Sequence, residues 1–137
     1  MSNCSAQTKK GRGITTLASP YSFNETVRRL LAAFADKGIK VFADIDQQAE
    51  ARAAGLDMPP TTLILFGNPK VGTPLMQAQP SSGLDLPLKV LISETRPGKV
   101  EVCFNTAAYI LERHGLAAEF DRNIGPAEKL IAATLKK

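Results

Sequence analysis

A chain of 137 residues, 44% hydrophobic and 22% charged, has the size and composition of one globular domain with a sizeable core. Its longest unbroken apolar run, Leu63-Ile64-Leu65-Phe66, falls far short of the roughly 20 residues a membrane helix needs, so no membrane partner is expected. The net charge of +4 resides in the chain ends, at Lys9, Lys10, Arg12, Lys136 and Lys137; setting those five aside leaves 12 basic against 13 acidic residues, no footprint for nucleic acid.

Met1 to Lys10 are polar and carry no apolar export stretch, so residues 1–11 are expected to form a disordered tail and the protein to be cytoplasmic. Residues 12–137 are expected to form a single domain. Cys4 and Cys103 belong to no CxxC or Cys/His cluster, which predicts two free thiols in a reducing compartment. From Gly13 to Ala18 the β-branched residues predict a first strand, broken by Ser19-Pro20-Tyr21. Ser22 followed by Glu25 matches the capping box, in which the Ser oxygen takes an early amide while Glu reaches back. Phe23, Val27, Leu30, Leu31 and Phe34 then recur at helical spacing, and Gly38 suits a left-handed C-cap.

Ile39 to Asp46 alternates, with Ile39, Val41, Ala43 and Ile45 on one face and Lys40, Phe42, Asp44 and Asp46 on the other. Residues 47–54 favour a short helix ended by Gly55. Thr61 to Phe66 is a strand whose apolar run suggests a central position, and Gly67-Asn68-Pro69 turns the chain. Thr73-Pro74 resembles an N-cap with proline at the first helical position, starting a helix through about Gln79. A loop over Pro80 to Gly83 leads to a strand from Leu86 to Glu94; Arg96-Pro97-Gly98-Lys99 forms a hairpin turn, and Val100 to Phe104 returns. Asn105 is expected to cap a helix that Gly115 ends, Leu116 to Asn123 to extend helically, and Pro126 to begin a final helix carrying Leu130, Ile131 and Leu135. No internal repeat or interdomain linker is visible.

The segment Gly67 to Met76 offers the two glycines of a phosphate loop, Gly67 and Gly72, but Thr73 and Pro74 stand where such a loop requires Lys and Ser or Thr. A nucleotide-hydrolysing loop is thereby excluded. What remains is either a plain strand–turn–helix connection capped by Thr73, or a site for a small anion at the helix start with Lys70 nearby. Asp44 and Asp46, two apart on a strand, share a face roughly 7 Å apart; they suit a metal or acid–base pair, or simply a solvated face. Asp85 is costly if buried unpaired, and otherwise caps the entry to its strand. His114, the single histidine, falls in the last turn before Gly115, where capping or proton transfer are both open to it. Cys103 reads as a small buried residue rather than a nucleophile.

The segments F66-G-N-P-K-V-G-T-P-L-M76, L84-D-L-P-L-K-V-L91 and F104-N105, followed by Tyr109 and R113-H-G-L116, resemble the family called domain of unknown function 302. The resemblance runs from about Gly13 to Leu116 and implies a two-layer α+β fold of the TATA-box-binding-protein-like type, one antiparallel sheet with helices packed on one side. It also implies a homodimer, and supplies no mechanism. Members of the family often carry His after the Ile-Asp of the second strand, where this chain has Gln47. Three readings follow. The first is a module binding a small molecule or anion around Asn68, Lys70, Gly72, Thr73 and Met76, joined by Asp85, Asn105, Tyr109 and His114. The second is an enzyme using carboxylates and His114, and the third a protein-interaction module. No cofactor and no metal is expected.

Overall fold

In a computed structural model that describes residues 11–137, the Ser22 hydroxyl accepts the Glu25 amide at 3.1 Å and starts helix α1 (Phe23–Asp36). The capping box is only half made, because the Glu25 carboxylate turns instead to Arg28 and Arg29. Strand β1 (Ile14–Ser19) precedes α1 and strand β2 (Lys40–Asp46) follows it; helix α2 (Gln47–Ala53), strand β3 (Thr61–Gly67) and helix α3 (Pro69–Ala78) come next. A 3-10 turn (Pro80–Leu84) leads to β4 (Leu88–Arg96), β5 (Lys99–Asn105), α4 (Ala107–Arg113) and α5 (Asp121–Thr134). The expected tail over residues 1–11 lies outside the described residues, apart from Gly11.

The five strands form one antiparallel sheet in the order β1-β5-β4-β3-β2. The apolar β3 is interior but not central; β4 holds the middle, between β3 and β5. Leu30 and Phe34 of α1, Ile131 of α5 and Leu135 just after it pack onto Ile64, Phe66, Val90, Ile92, Val102 and Phe104, forming the main core on one face of the sheet. Phe34 stacks on Phe66 with ring centroids 4.3 Å apart. This is the two-layer α+β architecture expected.

Strand β2 departs from simple alternation. Its register shifts between Val41 and Ala43, so Val41 stays opposite Phe66 on the core side while Ala43 and Ile45 face Leu65 and Leu63 on the other. The row Ile45, Leu63, Leu91, Cys103 and Thr16 therefore crosses the face turned away from the helices.

Two helix starts differ from the expectation. Helix α3 starts at Pro69 with Asn68 as its cap, not at Pro74, and α5 starts at Asp121, not at Pro126. Both prolines lie in the sixth position of their helices. Proline is favoured at a first turn because its missing N–H costs nothing there; α3 meets that rule with Pro69 under the Asn68 cap, while α5 gains a turn upstream that buries Ile124. Leu75 of α3, Ala107, Ile110 and Leu111 of α4, Leu116, and Ile124 of α5 build a second, smaller core at one end of the sheet, and Leu88 touches both cores. Helix α4 is capped by Thr106, whose hydroxyl accepts the Tyr109 amide at 3.1 Å, rather than by Asn105. A carboxylate oxygen of Glu128 on α5 accepts the Ala107 amide, tying the two helices together.

Candidate functional site

Asn68 stands where β3 gives way to α3, and it uses up the amides at the helix start. Its side-chain oxygen accepts Lys70 N–H at 2.9 Å, and its carbonyl accepts Val71 N–H and Gly72 N–H, each at 2.9 Å. The main-chain donors expected to receive an anion are thus already bonded within the turn, and Thr73 is a residue of the second turn, not a cap. What the turn creates instead is an apolar cleft of about 360 Å³ on one side, lined by Phe42, Gly72, Thr73, Met76, Leu86 and Pro87 among others. A second cleft of about 430 Å³ opens on the other side between α1, β3 and α5. Gly67, Asn68, Val71 and Leu88 line both. Among the described residues, Lys37 and Arg122 are the only charged ones in the two linings, and both are cationic. Asn123 closes the wall between α5 and α3 by donating to the Val71 carbonyl at 3.0 Å.

Of the residues singled out from sequence, Asn68, Gly72, Thr73 and Met76 come together here. Lys70 is exposed and lines neither cleft. Asn105 is exposed at the end of β5. Tyr109 lies against Gly13 with the Arg12 guanidinium 6.0 Å above its ring, and serves to hold the start of β1 on α4.

Asp85 and His114 meet at a separate place. His114 Nε2 lies 2.5 Å from Asp85 Oδ2, Arg113 Nη1 reaches both oxygens of the same carboxylate at 3.0 and 2.9 Å, and Ser81 Oγ lies 2.8 Å from His114 Nδ1. The His114 side chain is 4% exposed and that of Asp85 10%. Asp85 is thus buried but paired, which removes the cost foreseen for it. Ser81 is not marked by the sequence, and Arg113 only as part of the motif R113-H-G-L116; nothing in the loop Pro80 to Gly83 marks a residue that will meet a histidine 33 positions later.

Asp46 caps α2 by accepting the Ala49 amide at 2.9 Å, with Gln47 as the first residue of that helix. Among the described residues no three His, Cys, Asp or Glu side chains are grouped to hold a metal ion. Cys103 is disulfide-bonded, which overturns the expectation of two free thiols. The chain's other cysteine, Cys4, lies outside the described residues.

The sequence profile of the domain of unknown function DUF302 matches residues 15–135, which covers both cores, both clefts and the Asp85–His114 pair. The chain belongs to the DUF302 family. A solved structure of an uncharacterized conserved DUF302 protein from Bacillus stearothermophilus superposes with a TM-score of 0.75, covering 91% of this chain and 97% of that one at 19% identity. At that identity the likeness shows the fold alone. Relatives described as "Fluoride-specific ion channel FluC 1" from Brucella suis biovar 1 (strain 1330) and from Brucella abortus biovar 1 (strain 9-941) are each 43% identical over 109 residues, 80% of this chain. The chain spans only 43% and 40% of those two proteins. Among the described residues no helix is long and apolar enough to cross a membrane.

Proposed function

We propose that this DUF302 domain binds a small amphipathic anion in the cleft between α1, β3 and α5, its apolar body against Leu88 and Leu130 and its charged head toward Lys37 and Arg122. The observation that carries this reading is the composition of the paired clefts: apolar walls, the Asn68 and Asn123 side chains and, among the described residues, two cations and no acid. A cleft of this kind stabilises an apolar body by burial, and lysine and arginine select an anionic head. The enclosed volume suits a ligand the size of a medium-chain carboxylate better than a bare halide, although the name of the Brucella relatives makes fluoride a necessary comparison. The test is calorimetric titration with octanoate, octanol, phosphate and fluoride at matched ionic strength. Octanoate is expected to bind and the other three to bind weakly or not at all. Equal binding of octanol removes the anionic head from the reading; binding of fluoride alone replaces it, and no binding ends it.

The partner that accompanies this reading is a second copy of the chain, meeting across the sheet face turned from the helices. Supporting it, Ala43, Ile45, Leu63, Leu65 and Leu91 project from that face, and Phe42 at its end is 44% exposed. Sedimentation velocity of the protein and of Leu65→Glu tests this: a dimer that the substitution dissociates supports it, and a monomer at all concentrations removes it.

A further inference from the structure

We propose that Ser81 is an activated nucleophile, served by His114 as base and Asp85 as its positioning residue, for acyl transfer from small esters arriving from solvent. This goes beyond the binding reading and uses none of the cleft residues. For a neutral His114, the hydrogen-bonding inventory sets the direction of the relay. An ionised Asp85 accepts only, and Arg113 Nη1 contacts both its oxygens. His114 must therefore present Nε2–H to Asp85 Oδ2, which leaves Nδ1 as an acceptor and makes the Ser81 hydroxyl its donor at 2.8 Å. A serine donating to an imidazole whose far nitrogen is held by a buried carboxylate is the arrangement that activates hydroxyls for attack. Here the two ring nitrogens exchange roles relative to the usual serine-hydrolase order, which alters the direction of approach but not the proton inventory.

The burial pattern separates the parts by task. His114 and Asp85 are buried and locked, so the base has one orientation, whereas Ser81 is exposed and reachable. Were the trio only a clamp between the 3-10 turn and α4, the Asp85–Arg113 pair would already supply it. In the step proposed, a bond forms between Ser81 Oγ and the ester carbonyl carbon as the hydroxyl proton passes to His114 Nδ1. The ester C–O bond then breaks and the alkoxide leaves with that proton. Water repeats the sequence on the acylated Ser81, releasing the carboxylic acid and restoring the hydroxyl.

The experiment uses the full chain and a fluorophosphonate probe, with the site of adduct read by mass spectrometry, alongside hydrolysis of p-nitrophenyl acetate. A covalent adduct on Ser81 is expected, abolished by Ser81→Ala and slowed roughly 100-fold by His114→Gln. Asp85→Asn is expected to lower kcat for the ester with KM retained. Because His114 is buried, a second pair of variants guards against misfolding: iodoacetamide should alkylate S81C at least tenfold faster than L84C, an exposed position in the same turn. An adduct elsewhere than Ser81, no adduct, or equal alkylation of the two thiols would overturn the proposal.

Discussion

Gly13 lies so close to Tyr109 that a β-carbon added to it would come within 2.2 Å of the ring's Cγ. Its φ of +77° independently favours glycine. Close approach and left-handed backbone thus coincide where β1 enters the sheet beside α4. Gly13→Ala is expected to destabilise the fold by about 3 kcal/mol, as strain and clash combine. Gly38, with a φ of +69° and nothing within 4 Å of an added β-carbon, isolates the backbone part. Gly38→Ala is expected to cost about 1 kcal/mol. Urea denaturation of the two variants checks the difference; equal losses would mean that the Tyr109 contact yields easily.

The stack of Phe34 on Phe66 joins α1 to β3 at the centre of the main core, where both rings are buried. Phe34→Ala is expected to lower stability by about 4 kcal/mol, through lost burial and the cavity left behind. Phe34→Leu should lose appreciably less. Chemical denaturation with an unchanged m-value would attribute the loss to the native state.

Glu25 is lowered from an ordinary carboxyl pKa of 4.5 to about 2, first by its hydrogen bond to Arg28 and then by the charges of Arg28 and Arg29, against some loss of hydration. A carboxyl depressed in the folded state contributes stability that is present above pH 4.5 and lost as pH falls toward 2. The difference in Tm between the protein and Glu25→Gln should therefore shrink over that interval. Because the group is exposed, the whole effect is expected to be small and to fade in 1 M salt. A difference unchanged from pH 6 to pH 2 would show that the ion pairs contribute nothing.

Ligand length offers a quantitative check on the cleft. Burying a methylene is worth about 0.8 kcal/mol, so hexanoate is expected to bind roughly tenfold more weakly than octanoate if the tail is enclosed. Arg122→Gln should weaken both carboxylates by a similar factor while leaving their ratio intact. A ratio near one would place the tail in solvent.

Much of the architecture is local and was therefore readable. In α1, the Ser22 cap, the apolar spacing from Phe23 to Phe34 and the left-handed Gly38 all act within a turn or two of each other. The β4–β5 hairpin is likewise specified by Pro97-Gly98 between two apolar strands, with Gly98 at a φ of +80°. Asn68, Gly72, Thr73 and Met76 line one cleft because they are neighbours in the chain.

Where the reading failed, the deciding partner lay far away in the chain or the choice depended on packing. For α3 the same cap-and-proline chemistry stands one turn earlier, at Asn68-Pro69, and is the one used; for α5 the turn before Pro126 carries Ile124, which is buried in the second core. Residue types alone established a neutral-bodied α+β chain with these strands and most of these helices. Tertiary structure alone brought Ser81, Asp85 and His114 together and placed Lys37 and Arg122 around the same cleft. Hydrogen bonds and burial across tens of residues are set by how helices dock on the sheet, and that docking has no counterpart in any short stretch of the chain.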